Sequence, residues 1–272
     1  MRAYRYQTPH GIEVTRNASK ANFRKGLRSL LRDLDRHRGI YLSSGYEYPG
    51  RYSRWDIAST RPPLEIVSYD REVQFRALNE RGEKITQILH PILAERAHWE
   101  EFSAGPRLLH GRLKPLPLLF PEEERSKQPS AFSVLRALIE EFGGEEDSRL
   151  GLVGAFGYDL LFQFEPIEKK LPRNGHKDLH LFLCDDIWFM DRKKEQIERF
   201  RYEFVRGEIT TAGLPRAGQR TATPAKRPSG PIVADHAPEE YMANVETVRE
   251  GMRRGDYYEV VLRQTFQTPY SG

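Results

Sequence analysis

Between Ser43 and Asp56 the chain reads SSGYEYPGRYSRWD, where three tyrosines, one tryptophan, two arginines and three serines surround a Pro-Gly turn within fourteen positions. Serine hydroxyls beside aromatic rings suit a small molecule that carries both a ring and charged groups, because the rings form an apolar slot and the hydroxyls fix its polar ends. Three readings are open on these residues alone: an active site, a ligand pocket of another kind, or a hairpin decorated with aromatics.

The remaining chemistry-bearing residue types narrow the field. Gly151, Gly154 and Gly157 are spaced GxxGxxG, not GxGxxG, with no helix after them and no acidic residue at the expected offset, which argues against a dinucleotide loop. Beside Phe156, Tyr158 and Phe162 they fit a close backbone approach within a sheet or at its edge. His10, His37, His90, His98, His110, His176, His180 and His236 form no pair at metal-ligand or catalytic spacing, and GxSxG, HExxH and GxxxxGK[ST] are absent. The single cysteine, Cys184, cannot form an internal disulfide and reads as a small buried hydrophobe.

Elements must position the Ser43–Asp56 stretch. The segment SKANFRKGLRSLLRDLDRHRG predicts a helix started by Asn17 or Ser19 and stopped by Gly39, with Phe23, Leu27, Leu30, Leu31 and Leu34 on one face. Arg24, Lys25, Arg28 and Arg32 take the other face, read as solvated and not as a phosphate-binding surface. GIYLSS then reads as a short buried strand leading into the stretch. After it, PPLEIVSY and REVQFRALNERG alternate as two strands joined at Tyr69-Asp70-Arg71. Residues 84–98 predict a helix interrupted by Pro91, and SVLRALIEEFGG a helix ending at its glycine pair. The stretch LHLFLCDDIWFMDRKKEQIERFRYEFV reads as a hairpin around Asp191-Arg192-Lys193-Lys194. Residues 210–231, rich in Pro, Gly, Ala, Thr and basic residues, read as an exposed linker. APEEYMANVETVREGMRRG predicts a helix with Tyr241, Val245, Val248 and Met252 as its stripe and Gly255 as its stop, followed by a strand over 257–266 with an open edge.

At 272 residues, 38% hydrophobic and 11% aromatic, the chain can build a real core. Its net charge of +4 is concentrated early: residues 1–61 hold thirteen Lys/Arg against five Asp/Glu. No apolar run approaches the roughly 20 residues of a membrane helix, and the N-terminus lacks a secretory h-region, so a cytoplasmic protein is expected, with neither membrane nor nucleic acid as partner.

Three stretches in register resemble the anthranilate synthase large component, a chorismate-utilising family: GLVGAFGYDLLFQFEPI, LHLFLCDDIWFMD and YMANVETVREGMRRGDYYEVVLRQTF. YLSSGYEYPGRYSRWD falls where that family has its LLES…RYS element, and its wording is most similar to the fused bacterial enzymes that carry a glutamine amidotransferase on the same chain. The resemblance implies that Ser43, Ser44, Arg51, Tyr52 and Ser53 line one side of a pocket for the feedback inhibitor L-tryptophan, with Ser43 standing where the family has Glu. It implies an α+β fold of two stacked, mostly antiparallel, sandwich-like sheets with flanking helices. Residues 1–209 would form an N-terminal regulatory domain, 210–231 a linker, and 232–272 the start of a truncated chorismate-binding catalytic domain.

By the same resemblance the whole enzyme converts chorismate and glutamine-derived ammonia into anthranilate and pyruvate, the entry to tryptophan biosynthesis. Magnesium would be held by residues expected past the end of this chain, an amidotransferase domain or subunit would supply ammonia, and a homo-oligomer is allowed. Glu259 stands where water-adding relatives carry a lysine base, which disfavours that chemistry and leaves Glu259 as the one candidate catalytic position here. The alternatives are an aminodeoxychorismate- or phenazine-type chorismate aminase and a non-catalytic tryptophan-binding module.

Overall fold

The computed structural model describes residues 2–44, 54–96, 98–116, 121–144, 147–165, 167–168, 170, 175–218, 220 and 230–269. The chain divides into two compact units, residues 1–221 and 222–272.

The first unit opens with β1 (Arg2–Gln7), β2 (Glu13–Asn22) and α1 (Phe23–Leu34), then β3 (Gly39–Ser43) and β4 (Trp55–Thr60). Next come β5 (Leu64–Tyr69), β6 (Glu72–Ala77), α2 (Glu80–Ala94), β7 (Trp99–Ala104), β8 (Leu108–Leu113), α3 (Ala131–Phe142) and β9 (Leu152–Phe156). β10 (Leu179–Leu183), β11 (Asp186–Asp191), β12 (Gln196–Arg206) and β13 (Ile209–Thr210) complete it. The strands form two antiparallel sheets, ordered β1-β2-β12-β11-β4-β3, with β13 on β12, and β7-β8-β6-β5-β10-β9. This is the α+β, sandwich-like class expected.

Alternation in β11 and β12 explains the layering, since successive side chains of a strand point to opposite faces. Trp188, Met190 and Ile197 join Leu30 and Ala58 in a small cluster under α1. Ile187, Phe200, Tyr202 and Phe204 face the other way, into a larger core shared with α2, α3 and the second sheet. Phe142 of α3 meets Phe204 edge to face at 5.1 Å, joining that helix to the first sheet. Cys184 is fully buried there, and burial pushes its thiol up to about 12.

Several boundaries differ from the sequence reading for identifiable reasons. Asn17 and Ser19 lie inside β2, opposite Arg201 and Arg199, because β2 pairs along nearly the whole of β12. Asn22 caps α1 instead, accepting from the Lys25 amide at 3.0 Å; the helix ends at Leu34, and Gly39 opens β3. β3 is half-buried to exposed, being an edge strand. α2 begins at Glu80, capped by Asn79, and continues through Pro91. A proline ring loosens the preceding turn, and there the Ile88 carbonyl accepts from Arg206 Nη1 at 3.0 Å. The stretch LHLFLCDDIWFMD is split: β10 belongs to the second sheet and β11 to the first. Between them Asp185 is buried against the fully buried Arg81, which also donates to Glu203 and to the carbonyls of Tyr202, Thr211 and Leu214. Those carbonyls tie residues 211–214, read as linker, onto the first unit.

Gly154 has the predicted role. A Cβ there would stand 2.1 Å from the His180 carbonyl of β10, so only glycine lets β9 approach.

The second unit holds β14 (Val233–Ala234), α4 (Pro238–Arg254) and β15 (Phe266–Gln267). Glu239 and Glu240 in the first turn of α4, Arg253 and Arg254 in its last, and Gly255 at φ 83° follow the dipole and capping rules that predicted it. The strand expected over 257–266 shrinks to Phe266–Gln267, paired with β14. Tyr258 and Val261 are exposed, and a strand without a neighbour cannot pair its backbone.

Candidate functional site

β3 and β4 pair with Ser43 opposite Asp56 and Tyr41 opposite Ala58, so the aromatic-rich stretch is the connection between them. β4 pairs in turn with β11, placing Trp55 opposite Asp191. The end of the β3–β4 hairpin and the β11–β12 turn are thus brought side by side, and the backbone amide of Arg192 donates to the Arg54 carbonyl at 2.9 Å.

Arg192 organises this corner. Its Nε lies 2.9 and 2.8 Å from the two carboxylate oxygens of Asp56, which is fully buried. Its Nη2 donates to Tyr41 Oη at 3.1 Å and to Ser43 Oγ at 2.9 Å. Tyr41 donates its hydroxyl to Asp56 at 2.8 Å. The bonds to Asp56 raise the Arg192 pKa further, while burial, then the Asp56 bond, push the Tyr41 phenol up. Among the described residues, Arg192 Nη1 has no hydrogen-bond partner. Ser44 Oγ donates to the Trp55 carbonyl at 3.0 Å, leaving its lone pairs to accept.

A second ion pair braces the corner. Arg54 Nε and Nη2 donate to Asp191 at 3.2 and 2.9 Å, with the guanidinium 4.7 Å above the Trp55 ring. Asp191 also accepts the amides of Lys193 and Lys194, and the Arg54 bond comes first in holding its carboxyl below the usual range.

The structure therefore joins Ser43 and Ser44 in one corner. Arg51, Tyr52 and Ser53 lie outside the described residues. Glu259 is exposed in the second unit. Among the described residues the corner offers fixed donors and acceptors.

Arg192, Asp56 and Tyr41 were missed as site residues. The available signal was the alternation of Tyr41 with Ser43 on one face of β3. Also missed was a cleft of about 340 Å³ lined by Ile40 and Leu42 of the same strand and by Glu65, His180 and Phe182 of the second sheet. Glu65, 1% exposed, sits 2.7 Å from His180 Nε2 and accepts from Arg38 at 3.0 Å. A carboxylate inside the apolar run LEIVSY was its only sequence signal.

Among the described residues no three His, Cys, Asp or Glu converge on a common point. No helix among them is long and apolar enough to cross a membrane.

Two antiparallel sheets with a polar corner at the β3–β4 end describe a binding fold, and the sequence comparisons name its class: the chorismate binding enzyme family matches over residues 97–272, and the chain belongs to it. Among particular relatives, it is 41% identical over 271 residues to an anthranilate synthase of Azospirillum brasilense, covering 97% of this chain and 36% of that protein. It is 25% identical over 218 residues to anthranilate synthase component 1 of Vibrio parahaemolyticus, covering 76% and 40% of the two chains. With component 1 of Bacillus caldotenax the identity is 23% over 265 residues, covering 86% and 44%. The chain thus spans less than half the length of these relatives.

Proposed function

We propose that this chain serves an anthranilate synthase, in which chorismate and ammonia released from glutamine become anthranilate and pyruvate. The observation that carries this reading is the 41% identity to the Azospirillum brasilense anthranilate synthase across 97% of the chain. In that reaction ammonia adds to the ring carbon beside the carboxylate-bearing one, the hydroxyl leaves, and pyruvate is eliminated. Residues 1–209 are assigned to regulation and 232–272 to the start of the chorismate-binding part. Glu259 is the position here to test for contact with ammonia or substrate.

The corner at Ser43, Ser44 and Arg192 is assigned to one side of an effector site for L-tryptophan, together with Arg51, Tyr52 and Ser53. The chemistry supports it: an amino acid's carboxylate suits Arg192 Nη1, and its ammonium suits hydroxyl lone pairs. Where the family has Glu, Ser43 supplies no charge, so the ammonium is held by neutral acceptors.

Calorimetry with L-tryptophan on the chain tests the effector reading, with saturable binding expected and a loss of at least about tenfold for Arg192→Leu, which removes a charge-assisted bond. Equal affinity in that variant would overturn the assignment of Arg192. The activity reading is tested on a protein extended to the relatives' length, supplied with chorismate, magnesium and ammonium. Anthranilate is the expected product, and 4-amino-4-deoxychorismate would sink the proposal.

A further inference from the structure

Lys25, Arg28 and Arg32 on the basic face of α1 are exposed, and that face borders a concave surface. The face forms one wall of a cleft of about 740 Å³, in the range of small-ligand pockets. Lys25, Arg28 and Arg32 come from α1, Arg36 from the turn just after it, Arg61 directly follows β4, and Arg220 makes an isolated backbone bridge to His37. Asp33 is the only acidic residue among those lining the cleft. Its Oδ1 accepts from Arg61 Nη2 at 2.5 Å and lies 2.9 Å from His37 Nδ1. Arg199 is held by Asp186 at 2.7 and 2.6 Å and stacks at 4.4 Å on Trp188. Lys25, Arg28, Arg32, Arg36 and Arg220 therefore have no ion-pair partner among the described residues.

Two observations at Arg61 argue that the cleft is built for a ligand. Its φ is +55° although Pro62 follows, a combination that disfavours any residue with a Cβ, and strain of this kind is retained where the surroundings enforce it. Its Nε is buried without a hydrogen-bond partner, so its donor capacity is unmet in this arrangement. Arg28 and Arg32 stand one turn apart on α1, about 5 to 6 Å along the helix, and Arg36 follows just past its end. Planar forks at that spacing match a chain of linked phosphates, whose oxygens accept in pairs. Trp188 offers no free face for stacking bases, because Arg199 covers it, which favours a compact ligand over a nucleic acid strand.

We propose that this cleft is a binding site for a small ligand carrying clustered phosphate groups, either an inorganic phosphate chain or the phosphates of a nucleotide. The test is calorimetry on the 272-residue chain with tripolyphosphate, with ATP and with a short single-stranded RNA, first at low salt. Saturable one-to-one binding of tripolyphosphate or ATP is expected, weakening steeply as salt rises. Equal binding of the two assigns the site to the phosphate chain, and binding of ATP alone assigns it to a nucleotide. Arg28→Glu with Arg32→Glu should weaken binding at least about tenfold, and Lys25→Glu alone should weaken it measurably, with the melting temperature reported for each. Arg24→Glu makes the same charge change on α1 outside the cleft and should leave binding unchanged. Absence of saturable binding, binding of RNA alone, or equal weakening by Arg24→Glu would overturn the proposal.

Discussion

Arg81 shows how much of this fold rests on one polar side chain. It is fully buried and donates to Asp185, Glu203 and three backbone carbonyls, so replacing it with methionine leaves the buried Asp185 carboxylate and the Leu214 carbonyl without their donor and removes one donor from Glu203 and from the Tyr202 and Thr211 carbonyls. The expected cost is about 3–5 kcal/mol, read as a lower urea midpoint, and Asp185→Leu added to the variant should recover part of it. Burial already raises the Asp185 pKa against the pull of Arg81 and Arg216. Without Arg81 the carboxyl is pushed higher still. A raised folded pKa means stability is retained at low pH and lost as pH rises through that value, so the variant's deficit should grow from acid to neutral pH. His98 gives the opposite case. Burial first, then the Arg96 and Lys114 cations, push it down to about 4, and its Nε2 is buried without a partner. The unfolded chain binds the proton near pH 6.5, so stability should fall as pH drops from there toward 4. His98→Gln should flatten the melting-temperature profile across that window, and an unchanged profile would exclude His98 as its source.

At the scale of elements, edges and close approaches decide the architecture. β9 is the edge of the second sheet, held to β10 through Gly154. Gly154→Ala places a methyl against the His180 carbonyl and should cost about 1–3 kcal/mol through strand displacement. Faster hydrogen exchange confined to residues 152–156 and 179–183 would identify that displacement, whereas exchange unchanged there would refute it. Helix α4, the β5–β6 turn and the β11–β12 hairpin were legible from capping, alternation and turn chemistry. The start of α1 was not, because Asn17 and Ser19 carry cap chemistry yet sit in a strand long enough to pair with nearly all of β12. α2 also runs on through Pro91, with Arg206 from another element donating to the Ile88 carbonyl in the turn before it.

For the whole molecule, the buried core clusters among the described residues lie in residues 12–204, within the first unit. A chain ending at residue 221 should therefore keep a cooperative melt within a few degrees of that of residues 1–272, followed by circular dichroism. A large drop would show that the second unit contributes to the first unit's stability. In the second unit α4 keeps a half-exposed stripe, and Phe266 and Tyr258 face solvent. Apolar area of that kind contributes little where it is not removed from water.

The sequence by itself determined the fold class, the family motifs and the serine-aromatic stretch, because alternation, caps and short motifs are local and survive without knowledge of what they pack against. Only the tertiary structure decided what those residues meet. It set Arg192 of a charged turn against Ser43, 149 positions away, because β4 pairs with both β3 and β11. It also brought Arg61 and Arg220 to the same cleft as the basic residues of α1. Such encounters depend on strand order and register, which long-range pairing fixes and no short window of sequence contains.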